Sequence, residues 1–416
     1  MRILFLSTRS PYPLISGHSL RTYHILKGAA EEHDVTLVTF VQHPEHELKR
    51  ENLEHLRSFC TAVHPFPVPS DTSRGALALT LVLNLFSRLP FVAHKYDSPG
   101  IRKKIREILA GERIDLVHVD LLPLAVYLDE FPALPRILVN HNVESVRLHR
   151  WFQTERNLFK KAFLGYQWLK LRAFERRAMN RFDCCVTVSE TDTRLLRDMG
   201  VEKPMVVVPN GTDTDFFKPS GKPPVPDSVL WFGHMDVHTN RDAVLYFWND
   251  IYPLLRERKP DAVVSFVGTA PPAEIADAAR KSPLVKAPGF VDDIRPYVDE
   301  AAVIIVPIRI GSGTRLKILD AMAMGKAIVS TSVGCEGLAV TDGENISIAD
   351  TPRDFVERIE CLLCNEDVRR SLSDNARKLA QTYDWRLINM LQKDAYRMAV
   401  ENAGRRLPGM VQAETE

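Results

Sequence analysis

The 416-residue chain is poor in cysteine, nearly neutral and without an apolar run of membrane length, and each shortage closes off a class of protein. Six cysteines (Cys60, Cys184, Cys185, Cys335, Cys361, Cys364) are scattered without a disulfide framework, and Cys361-x-x-Cys364 has no second pair to complete a zinc site. They read as core or surface thiols of a chain kept in a reducing cytoplasm. A net charge of +1 gives no overall attraction to nucleic acid, so no nucleic-acid partner is expected. The longest apolar stretch, Ala76–Phe86, is about half a membrane span. Met1–Arg9 is too short an apolar run for a signal peptide and leads straight into a strand-loop pattern. No Asp-x-Asp cluster or His/Cys ligand set lies in a suitable place for a metal, so neither a metal nor a cofactor is expected. The first strand is followed by Ser7-Thr-Arg-Ser-Pro-Tyr-Pro13 and not by Gly-x-Gly-x-x-Gly, which argues against an NAD-dependent dehydrogenase.

What is present is a long alternation of strand and helix patterns. Hydrophobic content of 45% and charged content of 26% suit a soluble globular protein, and 416 residues suit two domains. Strand patterns fall at 2–7, 34–40, 62–68, 114–120, 136–140, 183–189 and 205–209, then at 229–234, 262–268, 285–287, 303–307, 327–330 and 346–348. Helical patterns fill the gaps, among them 19–31, 45–58, 74–87, 146–181, 240–257 and 314–324. Continuous Val/Ile/Leu strands separated by helices signal parallel sheets covered on both faces. Four prolines and a glycine between Lys218 and Asp227 forbid regular structure, and the alternation restarts after them. The expected fold is α/β: two doubly wound, Rossmann-like domains facing across a cleft, with ligands at the carboxyl edges of their strands.

The densest chemistry is the segment Ile310–Lys326, directly after the apolar run Val303–Ile308. Gly311 and Gly313 allow positive φ and close backbone approach, and Thr314 can cap a helix that stops near Gly325. The free N–H groups of such a helix start, with Arg315 and Lys317 within one turn, suit a diphosphate; Asp320 further along suits sugar hydroxyls. Taken alone, the segment also fits an ordinary strand-to-helix turn with solvated cations. His141 follows the strand Arg136–Asn140 and can point out from its carboxyl edge, or serve as a packing or capping residue. Gly17 and His18 precede a helix carrying Arg21 and Tyr23; the glycine gives a ligand room, or satisfies a turn that needs positive φ. His118 and Asp120 end another strand, where Asp120 is a candidate acceptor-side carboxylate; His18 is the other acceptor-side candidate, whereas Asp292 and Asp293 read as helix caps. Residues 146–181 carry ten Lys/Arg against Glu155 and Glu175, interleaved with Trp151, Phe152, Phe159, Trp168 and Leu169. That pattern fits a binder of anionic membrane surfaces, and equally a core helix with one solvated face.

In order and spacing, several motifs together resemble the GT-B glycosyltransferases, specifically the large retaining family 4 (group 1). They are Arg2-Ile-Leu-Phe-Leu-Ser7 with the loop to Gly17, His141-Asn142, and Val208-Pro-Asn-Gly-Thr-Asp-Thr-Asp-Phe-Phe217. Further on come Gly233-His-Met-Asp236, Phe266-Val-Gly268, Gly289-Phe-Val-Asp-Asp293, the Gly311–Lys326 segment and Thr382-Tyr-Asp-Trp385. Gly-Thr-Arg-Leu-Lys at 313–317 is similar to sugar transferases of bacterial exopolysaccharide assembly. The resemblance implies a metal-independent, retaining hexosyltransferase that uses a nucleoside-diphosphate sugar and a glycan or lipid-linked acceptor. It implies an acceptor-side domain at 1–215, a donor domain at 216–383, and a crossover helix near 384–403 returning to the first. By the same resemblance His141 lies against the donor sugar, and Gly17, His234, Gly268, Ser312, Gly313, Thr314, Arg315, Lys317 and Asp320 bind the donor. A cytoplasmic protein, peripheral at the inner face of the cytoplasmic membrane, would follow.

Two departures stand against the pattern. The family usually places two glutamates eight positions apart; here these are Ser312 and Asp320, the second one methylene shorter. The usual Arg/Lys pair in the first loop of the second domain is missing, with His234 and Asn240 or Arg241 nearby, so Arg315 and Lys317 are expected to neutralise the diphosphate. The alternatives are a nucleotide-sugar 2-epimerase of the same fold and a catalytically degenerate nucleotide-sugar-binding protein.

Overall fold

A computed structural model of the chain describes residues 1–14, 16–71, 73–311 and 315–413, with side chains through 405. Among these residues thirteen strands form two sheets whose neighbours all pair in parallel. The first sheet holds β1 (Arg2–Ser7), β2 (Asp34–Val41), β3 (Ala62–Pro67), β4 (Leu116–Asp120), β5 (Arg136–Val139), β6 (Cys184–Thr187) and β7 (Met205–Val207), in the order 3-2-1-4-5-6-7. The second holds β8 (Ser228–Phe232), β9 (Val263–Val267), β10 (Val285–Gly289), β11 (Val303–Val306), β12 (Ala327–Ser330) and β13 (Ser347–Ile348), in the order 10-9-8-11-12-13. Every residue of β4, β5, β6, β11 and β12 is buried, as expected of strands covered on both faces. In each sheet the winding direction reverses once, between β1 and β4 and between β8 and β11. Outside the carboxyl ends of those strands lies the crevice where doubly wound folds bind ligands.

The chain divides into two compact units, Met1–Pro209 with Ile388–Glu416, and Asn210–Leu387. The changeover precedes the proline-rich stretch 218–227, because residues 210–227 find their backbone partners in the second unit. Thr212 N–H donates to Tyr383 O at 2.9 Å, and Val225 N–H to Glu300 O at 2.8 Å. Within the first unit, the long helix Trp385–Ala413 is tied down from Asn389 onward. Asn389 donates to His24 O, Lys393 pairs with Glu32, Tyr396 meets His118, and Asn402 donates to Asp183 O. Gly28 lets this helix approach, since a Cβ there would lie 2.1 Å from Asn389 Nδ2.

Three helical patterns are broken in the fold. The expected helix 45–58 is two short ones, Pro44–Glu47 and Arg50–Arg57. Residues 240–257 include a wide turn at Phe247–Ile251, just before Pro253, which has no N–H to donate and whose ring crowds the carbonyl one turn back. The stretch 146–181 forms two helices, Glu144–Thr154 and Leu158–Met179, the second started by Asn157, whose side chain accepts from the Phe159 and Lys160 N–H groups. Its aromatic residues are partly spent on the pairing of the two: His149 stacks on Trp168 at 4.3 Å, and Phe152 packs against Gly165.

Candidate functional site

In the first unit the register Ser7↔Asp120 and Asp120↔Val139 lines up the last residues of β1, β4 and β5 at the carboxyl edge. Asp120 is buried there, and both of its oxygens are engaged. His141 Nε2 lies 2.8 Å from Oδ1, and Thr22 donates to Oδ2 at 2.7 Å. An ionised carboxylate can only accept, so Nε2 of His141 is the donor in this hydrogen bond. Burial alone raises the Asp120 pKa, but the charge and hydrogen bond of His141, with His18 and His118 behind them, outweigh it and hold the carboxyl well below its usual range. His18 Nε2 sits 4.0 Å from Asp120 Oδ2, and the His18 and His141 rings are 4.7 Å apart. Burial, then repulsion from His141, lowers the His18 pKa to about 3, so this ring is neutral at ordinary pH.

The helix Gly17–Ala30 carries His18, Arg21 and Thr22 into this cluster. It starts in a capping box: the Ser16 hydroxyl accepts from the Ser19 N–H, and the Ser19 hydroxyl from the Ser16 N–H. Gly17 is the first helical residue, so it provides a bare approach to the helix start rather than left-handed backbone. Buried Arg21 donates to the carbonyls of Val208 and Pro209, both at 2.8 Å, and so fixes the end of the first unit. His118 is a packing residue: its ring stacks on Phe5 at 3.9 Å and its Nδ1 lies 2.8 Å from the Tyr396 hydroxyl.

In the second unit the corresponding edge is built from glycines. Gly233 after β8 and Gly268 after β9 hold φ of 142° and 143°, values L side chains rarely adopt. A Cβ on Gly268 would lie 1.8 Å from Gly233 O, and one on Gly233 would lie 2.7 Å from Lys317 Nζ. The two strand ends thus touch backbone to backbone, with Lys317 laid over them. Its ammonium donates to Phe232 O at 2.7 Å and to Asn240 Oδ1 at 3.4 Å, 4.3 Å from the centre of the Trp231 ring. Burial first, and Arg315 second, lower the Lys317 pKa to about 7. The Arg315 guanidinium lies against Gly311, whose φ is 125°; a Cβ there would meet Nη2 at 2.5 Å. One turn beyond Lys317, Asp320 accepts from the Thr212 hydroxyl at 2.7 Å, and burial raises its pKa to about 7.

These positions bring together His18, Asp120 and His141 in one unit, and Gly268, Arg315, Lys317 and Asp320 in the other. Ser312, Gly313 and Thr314 lie outside the described residues; the helix is described from Leu316, so its expected start at Thr314 falls there too. His234 turns its ring to Thr269, with Nδ1 2.9 Å from the hydroxyl, while its carbonyl accepts from Asn240. Asp293 accepts from the Arg295 N–H at 2.9 Å and pairs with the Arg295 guanidinium, while the N-cap position of the helix Arg295–Glu300 is Ile294. The sequence reading missed Thr22 and Thr212, each a neutral hydrogen-bonding partner of a candidate ion, and named Asn240 only as standing near the missing Arg/Lys pair, not as a partner of Lys317. Thr212 lies inside the quoted Val208–Phe217 motif; nothing local marks Thr22. Among the described residues no group of three or more His, Cys, Asp or Glu side chains is placed to hold a metal ion.

Comparison with known proteins fits this arrangement. A family model described as Glycosyltransferase Family 4 matches residues 15–216, and one described as Glycosyl transferases group 1 matches residues 226–365. An uncharacterised 44.6 kDa protein in the cps region of Klebsiella pneumoniae is 24% identical over 372 residues, covering 86% of this chain and 90% of that protein. Among solved structures, Anabaena HepE in complex with UDP has a TM-score of 0.66 at 18% identity, covering 95% of this chain and 99% of its own. Sucrose-phosphate synthase from Thermosynechococcus elongatus has a TM-score of 0.68 at 16% identity, with 95% and 98% covered. With two Rossmann-like units of the GT-B fold and both halves matched by models of one group, the chain belongs to glycosyltransferase family 4, the group 1 glycosyl transferases.

Proposed function

We propose that the protein transfers a hexosyl unit from a nucleoside-diphosphate sugar to a hydroxyl of a lipid-linked glycan during cell-surface polysaccharide synthesis, with retention of anomeric configuration and without a metal. The observation that carries this reading is the Gly233–Gly268 corner overlaid by Lys317, with Arg315 and Asp320 flanking it at the switch point of the second sheet. Breaking the anomeric C–O bond places charge on a departing diphosphate, and stabilising that charge is the main catalytic task. Arg315 and Lys317 supply it, Asp320 accepts from sugar hydroxyls, and His141, oriented by Asp120, faces the reacting sugar. HepE, which has been solved with UDP and also with UDP-glucose, supports a nucleotide-sugar partner. The Klebsiella relative from a cps region supports the polysaccharide setting.

The test is a thermal-shift screen of nucleoside-diphosphate sugars, followed by transfer of labelled sugar to a membrane lipid extract. A donor at 100 times its dissociation constant adds about 2.7 kcal/mol of stability. One nucleotide sugar should raise the midpoint and then label the lipid fraction. A screen without a shift rejects the reading. Interconversion of the sugar with no acceptor present would replace it with an epimerase, and tight binding without any turnover with a binding protein.

A further inference from the structure

The helix Arg74–Phe86 is folded inside out. Its sequence after Arg74 is almost wholly apolar, yet its buried residue is Asn84, while Leu79, Val82, Leu83 and Phe86 are 60%, 55%, 53% and 87% exposed. Those four occupy positions i, i+3, i+4 and i+7, which is one continuous stripe along the helix. Asn84 accounts for the inversion. Its amide donates to Leu89 O, its Oδ1 accepts from Gln167 and Lys170, and its backbone carbonyl also accepts from Lys170. With Tyr166 donating to Leu85 O, the polar side of this helix is anchored on the helix Leu158–Met179. That second helix adds to the same kind of surface: its buried positions begin only at Leu164, and Leu158 and Phe159 are 79% and 90% exposed.

We propose that this paired-helix face docks on an anionic lipid surface, with the Leu79–Phe86 stripe and Phe159 lying among the acyl chains. Charge complementarity selects that occupant. Residues 73–96 hold three cations and residues 156–174 hold five, with no Asp or Glu in either stretch. Of these cations Lys95 is paired to Asp71 and Lys170 is held on Asn84. An apolar stripe whose two stretches carry cations and no carboxylate of their own matches a phosphate-covered hydrocarbon layer, in which long basic side chains keep their charge at the headgroups. The helix is 13 residues long, about 20 Å, which suits lying in the interface and not crossing it. None of the helices, among the described residues, is long and apolar enough to cross a membrane. The helix also begins just past the carboxyl end of β3, the sheet edge that carries Asp120 and His141. Docking there would bring a lipid-linked acceptor to the edge that binds it, so in that respect the inference rests on the proposed transfer reaction.

The experiment is co-sedimentation of the whole protein with phosphatidylglycerol-rich and with pure phosphatidylcholine vesicles, at low and high salt. The expected result is binding to the anionic vesicles that weakens as salt rises. Leu79→Ser/Leu83→Ser/Phe86→Ser should reduce that binding by about tenfold or more, as should Lys160→Glu/Lys161→Glu, with the circular dichroism of both variants unchanged. Failure to bind anionic vesicles, equal binding to both vesicle types, or full binding by both variants would overturn the proposal. So would a concentration-dependent dimer lost in the serine variant without any vesicle binding. Nucleotide-sugar binding is measured in parallel. A protein that binds the donor but no vesicle loses only the docking face, and one that binds vesicles but no nucleotide loses the transferase reading.

Discussion

Replacing Lys317 with methionine isolates the role assigned to its charge. The ammonium already donates to Phe232 O and Asn240, which leaves one N–H for an incoming phosphate oxygen. A hydrogen bond to a charged group is worth about 1.5–3 kcal/mol, so the variant should bind a nucleoside diphosphate roughly ten- to hundredfold more weakly. The free nucleoside, which has no phosphate, should bind both proteins alike. The pH dependence provides a second reading of the same contact. With its pKa lowered to about 7 by burial and by Arg315, Lys317 is neutral above that pH until a diphosphate draws its proton back. Wild-type affinity should therefore fall above pH 7, by up to about tenfold per pH unit, while the methionine variant shows no such slope. The sign for stability is the opposite. Between pH 7 and about 10 the unfolded chain holds a proton that the folded lysine has released, so this group's penalty eases as pH rises. Methionine removes that penalty and keeps the contact with Trp231, so the ligand-free thermal midpoint should not fall. Calorimetric titration with UDP, GDP and ADP and their nucleosides at pH 6.5, 7.5 and 8.5 reads all of this. Equal diphosphate affinity in the two proteins, or the same pH slope in both, would refute the assignment.

Three other outcomes follow from the geometry. Asp120→Asn keeps the shape but loses the charge that sets the His141 tautomer, so turnover should drop by about a hundredfold with donor affinity unchanged; full activity in a transfer assay would remove His141 from its role. Asp320 has its pKa raised to about 7 by burial, so its contribution to stability is present below about pH 4 and is lost as pH climbs through 7. Asp320→Asn should then give a flatter midpoint-against-pH curve between pH 4 and 8 while weakening donor binding by about tenfold, both read by thermal shift. Gly268→Ala forces a methyl to within 1.8 Å of Gly233 O on left-handed backbone and should cost about 3 kcal/mol or more; a urea midpoint equal to wild type would show that the corner relaxes.

Much of this protein could be read along the chain. Hydrophobic runs of strand length separated by helical periods placed seven and six strands, because a parallel sheet covered on both faces leaves a continuous apolar signature in each strand. The Ile310–Lys326 segment marked itself by two glycines and two cations within one turn. Other features had no local signature. Arg74–Phe86 reads as an apolar helix, but periodicity does not say which side faces the protein; Asn84, held by Gln167 and Lys170 from another helix, decided that. Asp120 meets Thr22 and His141 only because β4 is laid beside β1 and β5. Lys317 turns onto Phe232 O only because Gly233 leaves the space. The amino-acid order thus determined which residues seek burial and in what local geometry, since those preferences act over a few neighbours. Which charged groups share a site was decided by strand order and crossovers, since only the folded sheet brings together residues about 100 positions apart, as with Thr22 and Asp120.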